Sequence, residues 1–101
     1  MKAYVISSID VQDAERYAEY AALAPQTVVA FGGRYLARNG LKHPLEEQVP
    51  DSRVVLMEFP SVQHAKAWHA SPAYQAIIGI RHNASTGSMF IIEGCDPPEA
   101  T

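Results

Sequence analysis

One cysteine is all the thiol this chain has, and Cys95 stands near the C-terminus with no base beside it in sequence. A lone cysteine makes no internal disulfide, which fits a reducing compartment and predicts a cytoplasmic protein. Long apolar runs are also missing. The segment 1–9 is too short for the apolar core and cleavage site of a secretion signal. No stretch approaches the ~20 apolar residues of a membrane span. Basic residues are few: 8 Lys and Arg stand against 11 Asp and Glu, for a net charge of -3. They are scattered, which excludes the electrostatic footprint of a nucleic-acid or membrane-surface binder. Metal-ligand spacing is absent. His64 and His69 are five residues apart and fall on different faces of a helix, while His43 and His82 are remote from both. Neither His-x-x-x-His nor Cys-x-x-Cys occurs, so no metal is expected, and nothing calls for another cofactor. Ser71 lacks the Gly-x-Ser-x-Gly elbow of a nucleophilic serine. Gly32-Gly33 leads into a strand rather than a helix, unlike a phosphate-cradling loop.

What is present reads as one globular domain. The 101 residues are 48% hydrophobic and 19% charged, an ordinary soluble balance. The domain is expected over 1–95, with 96–101 as a loose tail. Lys2 to Ile9 is rich in β-formers and predicts a strand. Asp13 suits the N-cap of a helix whose Tyr17, Tyr20, Ala21, Ala24, Val28 and Phe31 recur on one face. Pro25 should kink or restart that helix, because proline has no amide hydrogen and crowds the preceding turn. Gly32-Gly33 closes it.

Arg34 to Arg38 predicts a second strand, and Asn39-Gly40 a turn. The segment 41–52 has no sustained period and is long for a hairpin connection, so it reads as a lid or flexible loop. Arg53 to Phe59 is the clearest strand. Ser61 caps the next helix, which turns Ala65 and Trp68 inward. Ser71 and Pro72 open a further helix, with Tyr74, Ile77, Ile78 and Arg81 on one face. Gly87 precedes a last strand over 88–93. The order βαββαβ, with the second α in two pieces, defines a ferredoxin-like α+β fold: a four-stranded antiparallel sheet with helices on one face.

Both faces of that sheet are apolar. In the third strand Val54 and Leu56 oppose Val55, Met57 and Phe59; in the fourth, Met89 and Ile91 oppose Phe90 and Ile92. A sheet with one wet face should alternate apolar with polar. Helices cover one face only, so the other needs a partner. A homodimer with its sheets face to face satisfies it. A chain this short buries only roughly 60–70% of its unfolded surface, which makes a partner more valuable.

The chain resembles the small bacterial family called domain of unknown function 1330, within the wider dimeric α+β barrel group. The resemblance runs through Asp13-Ala14-Glu15-Arg16-Tyr17, Gly32-Gly33-Arg34-Tyr35-Leu36-Ala37-Arg38 and Val54-Val55-Leu56-Met57-Glu58-Phe59-Pro60-Ser61. It continues through Ala67-Trp68-His69-Ala70-Ser71-Pro72-Ala73-Tyr74-Gln75, Arg81 and Glu93-Gly94. Two departures stand out. His69 occupies a place where the family often has tyrosine or phenylalanine, and Glu46-Glu47 replaces a frequent Glu-Gly. The resemblance implies a dimeric barrel. The wider group includes cofactor-free quinone-forming monooxygenases, muconolactone isomerase and haem-binding enzymes, although likeness of fold is analogy rather than evidence for a reaction.

The densest chemistry lies between Trp68 and Arg81. Trp68 reads either as a core residue at the helix–sheet interface or as a pocket wall that stacks on an aromatic ligand. Ser71 reads as a helix cap that also sits near that wall. Tyr74 and Arg81 are two helical turns apart on one face. Arginine on an apolar face must find an anion or acceptors. Either Arg81 pairs with Glu58 or Glu93, or it holds a ligand's carboxylate or phenolate. Arg34 is a second, weaker candidate of the same kind. His69 is a candidate acid–base group only if its helix ends beside it, as the Ser71-Pro72 break allows. The expected function is a homodimer with a pocket between sheet and helices for a small aromatic or carbonyl compound. If it is an enzyme, the expectation is cofactor-independent oxygenation or isomerisation: Trp68 stacks, Arg81 holds an oxyanion, and His69 or Glu58 moves a proton. The alternative is a non-catalytic dimeric module whose polar residues pair with one another.

Overall fold

A computed structural model describes residues 1–95; the expected tail lies outside the described residues. Strand β1 (Ala3–Val11) is followed by helix α1 (Ala14–Val29) and strands β2 (Arg34–Arg38) and β3 (Arg53–Phe59). Helices α2 (Val62–Ala70) and α3 (Pro72–Ala84) lead into strand β4 (Ser85–Glu93). All neighbouring strands are antiparallel, in the order β2-β3-β1-β4. The ferredoxin-like expectation holds, with β1 and β3 central.

Each helix starts where a short polar side chain captures a free amide. Asp13 accepts from the Arg16 amide at 3.1 Å, Ser61 from that of His64 at 3.1 Å, and Ser71 from that of Tyr74 at 3.2 Å. Ser71 closes α2 and opens α3, with Pro72 in the first turn.

Two expectations need correction. Pro25 does not restart α1, which runs without interruption from Ala14 to Val29. Proline at 25 leaves the Ala21 carbonyl without its usual intrahelical donor. The Arg38 guanidinium of β2 donates to that carbonyl instead, so the helix continues. The last strand also begins earlier than Ser88. It follows α3 directly, and Gly87 lies inside it opposite Ile9. Gly87 has φ +153, and a Cβ there would stand 2.1 Å from the Ser8 carbonyl oxygen, so the strand passes only because the residue is glycine.

Alternation along the strands divides the sheet. Ala3, Val5, Ser7, Ile9, Val55, Met57 and Phe59 are buried under the helices. They pack with Trp68, Tyr74, Tyr17, Tyr20 and Val28 into one core. The opposite face carries Tyr4, Ile6, Val54 and Leu56, half-buried among themselves, and Phe90 and Ile92, which are 51% and 49% exposed. Register places Ile6 beside both Leu56 and Phe90. In this chain the three helices leave that apolar face open. The segment between β2 and β3 extends outward, with Leu41 and Leu45 almost fully exposed. Within it Glu47 takes φ +54, a left-handed conformation that glycine adopts more readily.

Candidate functional site

A cavity of about 20 Å³ lies between the helices and the helix-facing side of the sheet. That is room for about one water-sized body. Its lining is unusual for a core. Arg38, Arg53 and Arg81 reach it from β2, β3 and α3, and Tyr17, Tyr20 and Tyr35 stand beside them. Each guanidinium lies over a tyrosine ring. Arg38 is 4.7 Å from the Tyr35 centroid, Arg53 is 5.4 Å from Tyr17, and Arg81 is 6.0 Å from Tyr20. Ring faces are negative and attract cations, although only weakly at the longest of these separations.

No carboxylate pairs with these three arginines among the described residues. Arg81 is only 7% exposed, and the buried Nε of both Arg81 and Arg53 has no hydrogen-bond partner. The one polar contact of the Arg81 guanidinium is from Nη2 to His82 Nε2, at 3.3 Å. Buried donors are nearly always satisfied, so two orphaned Nε groups on one cavity are a marked departure. The anticipated ion pair from Arg81 to Glu58 or Glu93 is not formed.

Tyr20 and Tyr35 keep their protons. Burial, reinforced by neighbouring Tyr74, pushes the Tyr20 hydroxyl far above its ordinary range, and burial also raises that of Tyr35. Tyr20 and Tyr74 share a hydrogen bond of 2.8 Å. Two hydroxyls joined by one bond use one proton between them. When Tyr74 donates, the Tyr20 hydroxyl remains free to donate as well.

The other anticipated residues fall in three places. Trp68 is a core residue, 1% exposed, stacked near Tyr74 (4.3 Å) and Phe59 (5.4 Å). Its indole donates to Thr27 Oγ1 at 3.0 Å, so its polar handle is occupied. Ser71 is likewise committed, since its hydroxyl donates to the Trp68 carbonyl and accepts from the Tyr74 amide. Neither Trp68 nor Ser71 reaches the arginine cavity, and Tyr74 touches it only through Tyr20. Glu58 and Arg34 lie on the open face of the sheet. There Arg34 Nε donates to Glu58 at 3.0 Å and Lys2 approaches to 3.3 Å. The Arg34 hydrogen bond and the Lys2 charge hold the Glu58 carboxyl below its ordinary range. The sheet separates this cluster from Arg81, so Glu58 cannot move a proton on anything Arg81 holds.

His69 is well placed. It is exposed at the end of α2 and lines an outer groove of about 400 Å³ with Arg81, His82 and Met89. Partial burial of the ring, and then the charge of Arg81 with His82 nearby, lower its pKa, so the imidazole is neutral near pH 7 and able to accept a proton. Arg81 and Met89 line both the groove and the inner cavity and form the partition between them.

Sequence reasoning missed Arg53, Arg38, Tyr17, Tyr20 and Tyr35 as site residues. One signal was available. Arg53 is in phase with Val55, Met57 and Phe59, so it had to point under the helices. For Arg38 there was none, because a register shift between Tyr35 and Ala37 changes which face the end of β2 presents.

Fold and site together define an α+β ferredoxin-like protein with an arginine–tyrosine cavity under its helices. The chain belongs to the DUF1330 family, a domain of unknown function, whose model matches residues 2–95. No curated protein matches it. Among solved structures it is similar to a protein of unknown function from Rhodopseudomonas palustris, with 16% identity and a TM-score of 0.74 over 95% of this chain and 84% of that one. It is also similar to a dimeric ferredoxin-like protein of unknown function from Jannaschia sp. CCS1, with 12% identity and a TM-score of 0.70 over 93% and 100% of the two chains. A third is SnoaB, a cofactor-independent oxygenase from Streptomyces nogalater, with 13% identity and a TM-score of 0.59 over 97% of each chain. At these identities the likeness is one of fold. Among the described residues no helix is long and apolar enough to cross a membrane, and no cluster of three metal-ligating side chains occurs.

Proposed function

We propose that this protein is a homodimer that binds a small aromatic or carbonyl compound bearing an anionic oxygen, with the arginine–tyrosine cavity as its recognition point. One observation carries the reading: Arg81 is buried, charged and, among the described residues, without a carboxylate partner. A buried cation is expensive unless something compensates it. A purely structural arginine would have its counter-charge within the protein, and among the described residues this one has none. That weighs against the non-catalytic module, which requires the polar residues to satisfy one another.

Cofactor-independent oxygenation or proton-transfer isomerisation is the chemistry the arrangement suits. Both reactions develop charge on a substrate oxygen, which a fixed guanidinium stabilises. Both need a proton acceptor, and neutral His69 stands in the groove that Arg81 shares. The fold shared with SnoaB is in keeping with this reading without establishing it. The open face carrying Ile6, Leu56, Phe90 and Ile92 supports the dimer, as does the likeness to a dimeric neighbour.

Two measurements test the proposal. Sedimentation at micromolar concentration should give roughly twice the chain mass of 11.1 kDa; a clean monomer would defeat the dimer. A thermal-shift screen of phenols, aromatic acids and lactones should find stabilising compounds. If none stabilises the protein, the small-molecule reading fails.

A further inference from the structure

Resting on that reading, we infer that the ligand is a monocarboxylate bound in two parts. Its carboxylate enters the inner cavity between Arg53 and Arg81, and its flat body lies in the outer groove against Met89 and His69.

The head group follows from the donors left over. Arg53 and Arg81 each bring an unpartnered buried Nε to the same cavity. Arg81 uses one Nη2 hydrogen on His82, and among the described residues its buried Nε is the donor left over. A guanidinium edge is a planar pair of donors whose spacing matches the two oxygens of a carboxylate. Tyr20 adds a neutral hydroxyl with a proton to give. Among the described residues no acidic side chain lines the cavity to repel an anion. The volume, about 20 Å³, admits the leading oxygen of a planar carboxylate and disfavours a tetrahedral phosphate, whose oxygens project in four directions.

The two-part arrangement follows from size. An aromatic ring cannot fit the inner cavity. The outer groove, about 400 Å³, can hold one, and it shares Arg81 and Met89 with the cavity. A ligand reaching past these two residues places its acid inside and its ring outside. Its body then passes His69, where a proton on the atom next to the carboxylate-bearing carbon would be accessible.

Calorimetric titration of the full-length protein with benzoate, benzamide and inorganic phosphate tests this. Benzoate should bind. Benzamide, which keeps the ring and loses the charge, should bind at least tenfold more weakly, and phosphate should not compete with benzoate. Arg81→Met should weaken benzoate by about ten- to a hundredfold, the loss expected for a charge-assisted hydrogen bond. Arg53→Lys, which keeps the charge and removes the planar donor edge, should weaken it by a similar factor, and it guards against a misfolded variant. Benzamide binding as tightly as benzoate would overturn the carboxylate assignment while leaving a small-molecule pocket in place. Wild-type affinity in both variants would overturn the placement of the head between these arginines. If benzoate fails and the phenols and lactones of the wider screen fail too, the underlying reading falls with it.

Discussion

Replacing Arg81 by methionine should make the unliganded protein more stable. Methionine retains the length and apolar stem that pack beside Ile77 and Tyr20, and it removes the charge and the donors. What is lost is small. The contact to His82 is long at 3.3 Å, and His82 is exposed, so water replaces it. The Tyr20 ring is 6.0 Å away, at the limit of useful cation–ring attraction. Among the described residues no carboxylate is stranded, because none pairs with Arg81. What is gained is relief of a buried unsatisfied donor, about 1–3 kcal/mol. Allowing for the weak contacts given up, the net gain is about 1–2 kcal/mol. For a domain of this size each 1 kcal/mol moves the midpoint by about 4–8 °C. Arg81→Met should therefore melt about 5–15 °C above wild type. Both melts must use one protein concentration, since association would make the midpoint concentration-dependent. A fall of more than a few degrees would mean that Arg81 supports the fold, and the ligand role argued for it would be refuted. A gain in stability with a loss of binding is the usual signature of a residue kept for function.

Three further outcomes follow from the same structure. Gly87→Ala should destabilise by about 3 kcal/mol in urea unfolding, because φ +153 and a Cβ 2.1 Å from the Ser8 carbonyl oxygen force β4 away from β1; a loss under about 1 kcal/mol would show that the ladder yields easily. Arg38→Ala should cost about 1 kcal/mol by stripping the Ala21 carbonyl of its donor. That cost should fall to about half in a Pro25→Ala background, where the restored amide supplies the bond, so strict additivity of the two changes would count against the pairing. Acidification should weaken the fold in two steps. The folded state resists protonating His69, so stability is full above the ordinary histidine pKa of 6.5 and declines as the pH falls below it, down to the lowered folded value. Glu58 is likewise lowered, so a second loss begins as the pH falls through about 4.5. His69→Gln should flatten the first step of a urea-midpoint profile between pH 5 and 8, and an unchanged profile would contradict it.

The fold was legible because its local signals agree with one another. Runs of β-forming residues marked β1 and β3, and Asp13, Ser61 and Ser71 marked three helix starts that the structure also has. Pro25 was misread because its effect depends on Arg38, thirteen residues away, and no local rule contains that contact. Gly87 was placed before a strand because glycine usually punctuates, whereas here it allows two backbones to approach. The site was legible only in part. Helical spacing put Arg81 on the apolar face of α3, where it is buried. Glu58 looked like a partner because it is acidic and nearby in fold order, but its parity with Val54 and Leu56 puts it on the other face. The tyrosines were read as apolar packing, since a helical stripe does not reveal which hydroxyls face a cavity.

Parity on β3 also links the two unusual features of the molecule. Arg53 and Val55 look toward the helices, while Val54 and Leu56 look toward the open face. One strand therefore carries both a wall of the cationic cavity and the centre of the uncovered apolar surface. Arginine side chains held over a cavity need a rigid base if their donors are to stay aimed at it without a ligand. A second copy packed on the open face would hold β3, and with it Arg53, from behind. Weakening that face with Leu56→Asp would then loosen the carboxylate site as well, although no atom of Leu56 lines it. The proposed site and the proposed interface would thus be two sides of the same strand rather than separate properties of the chain.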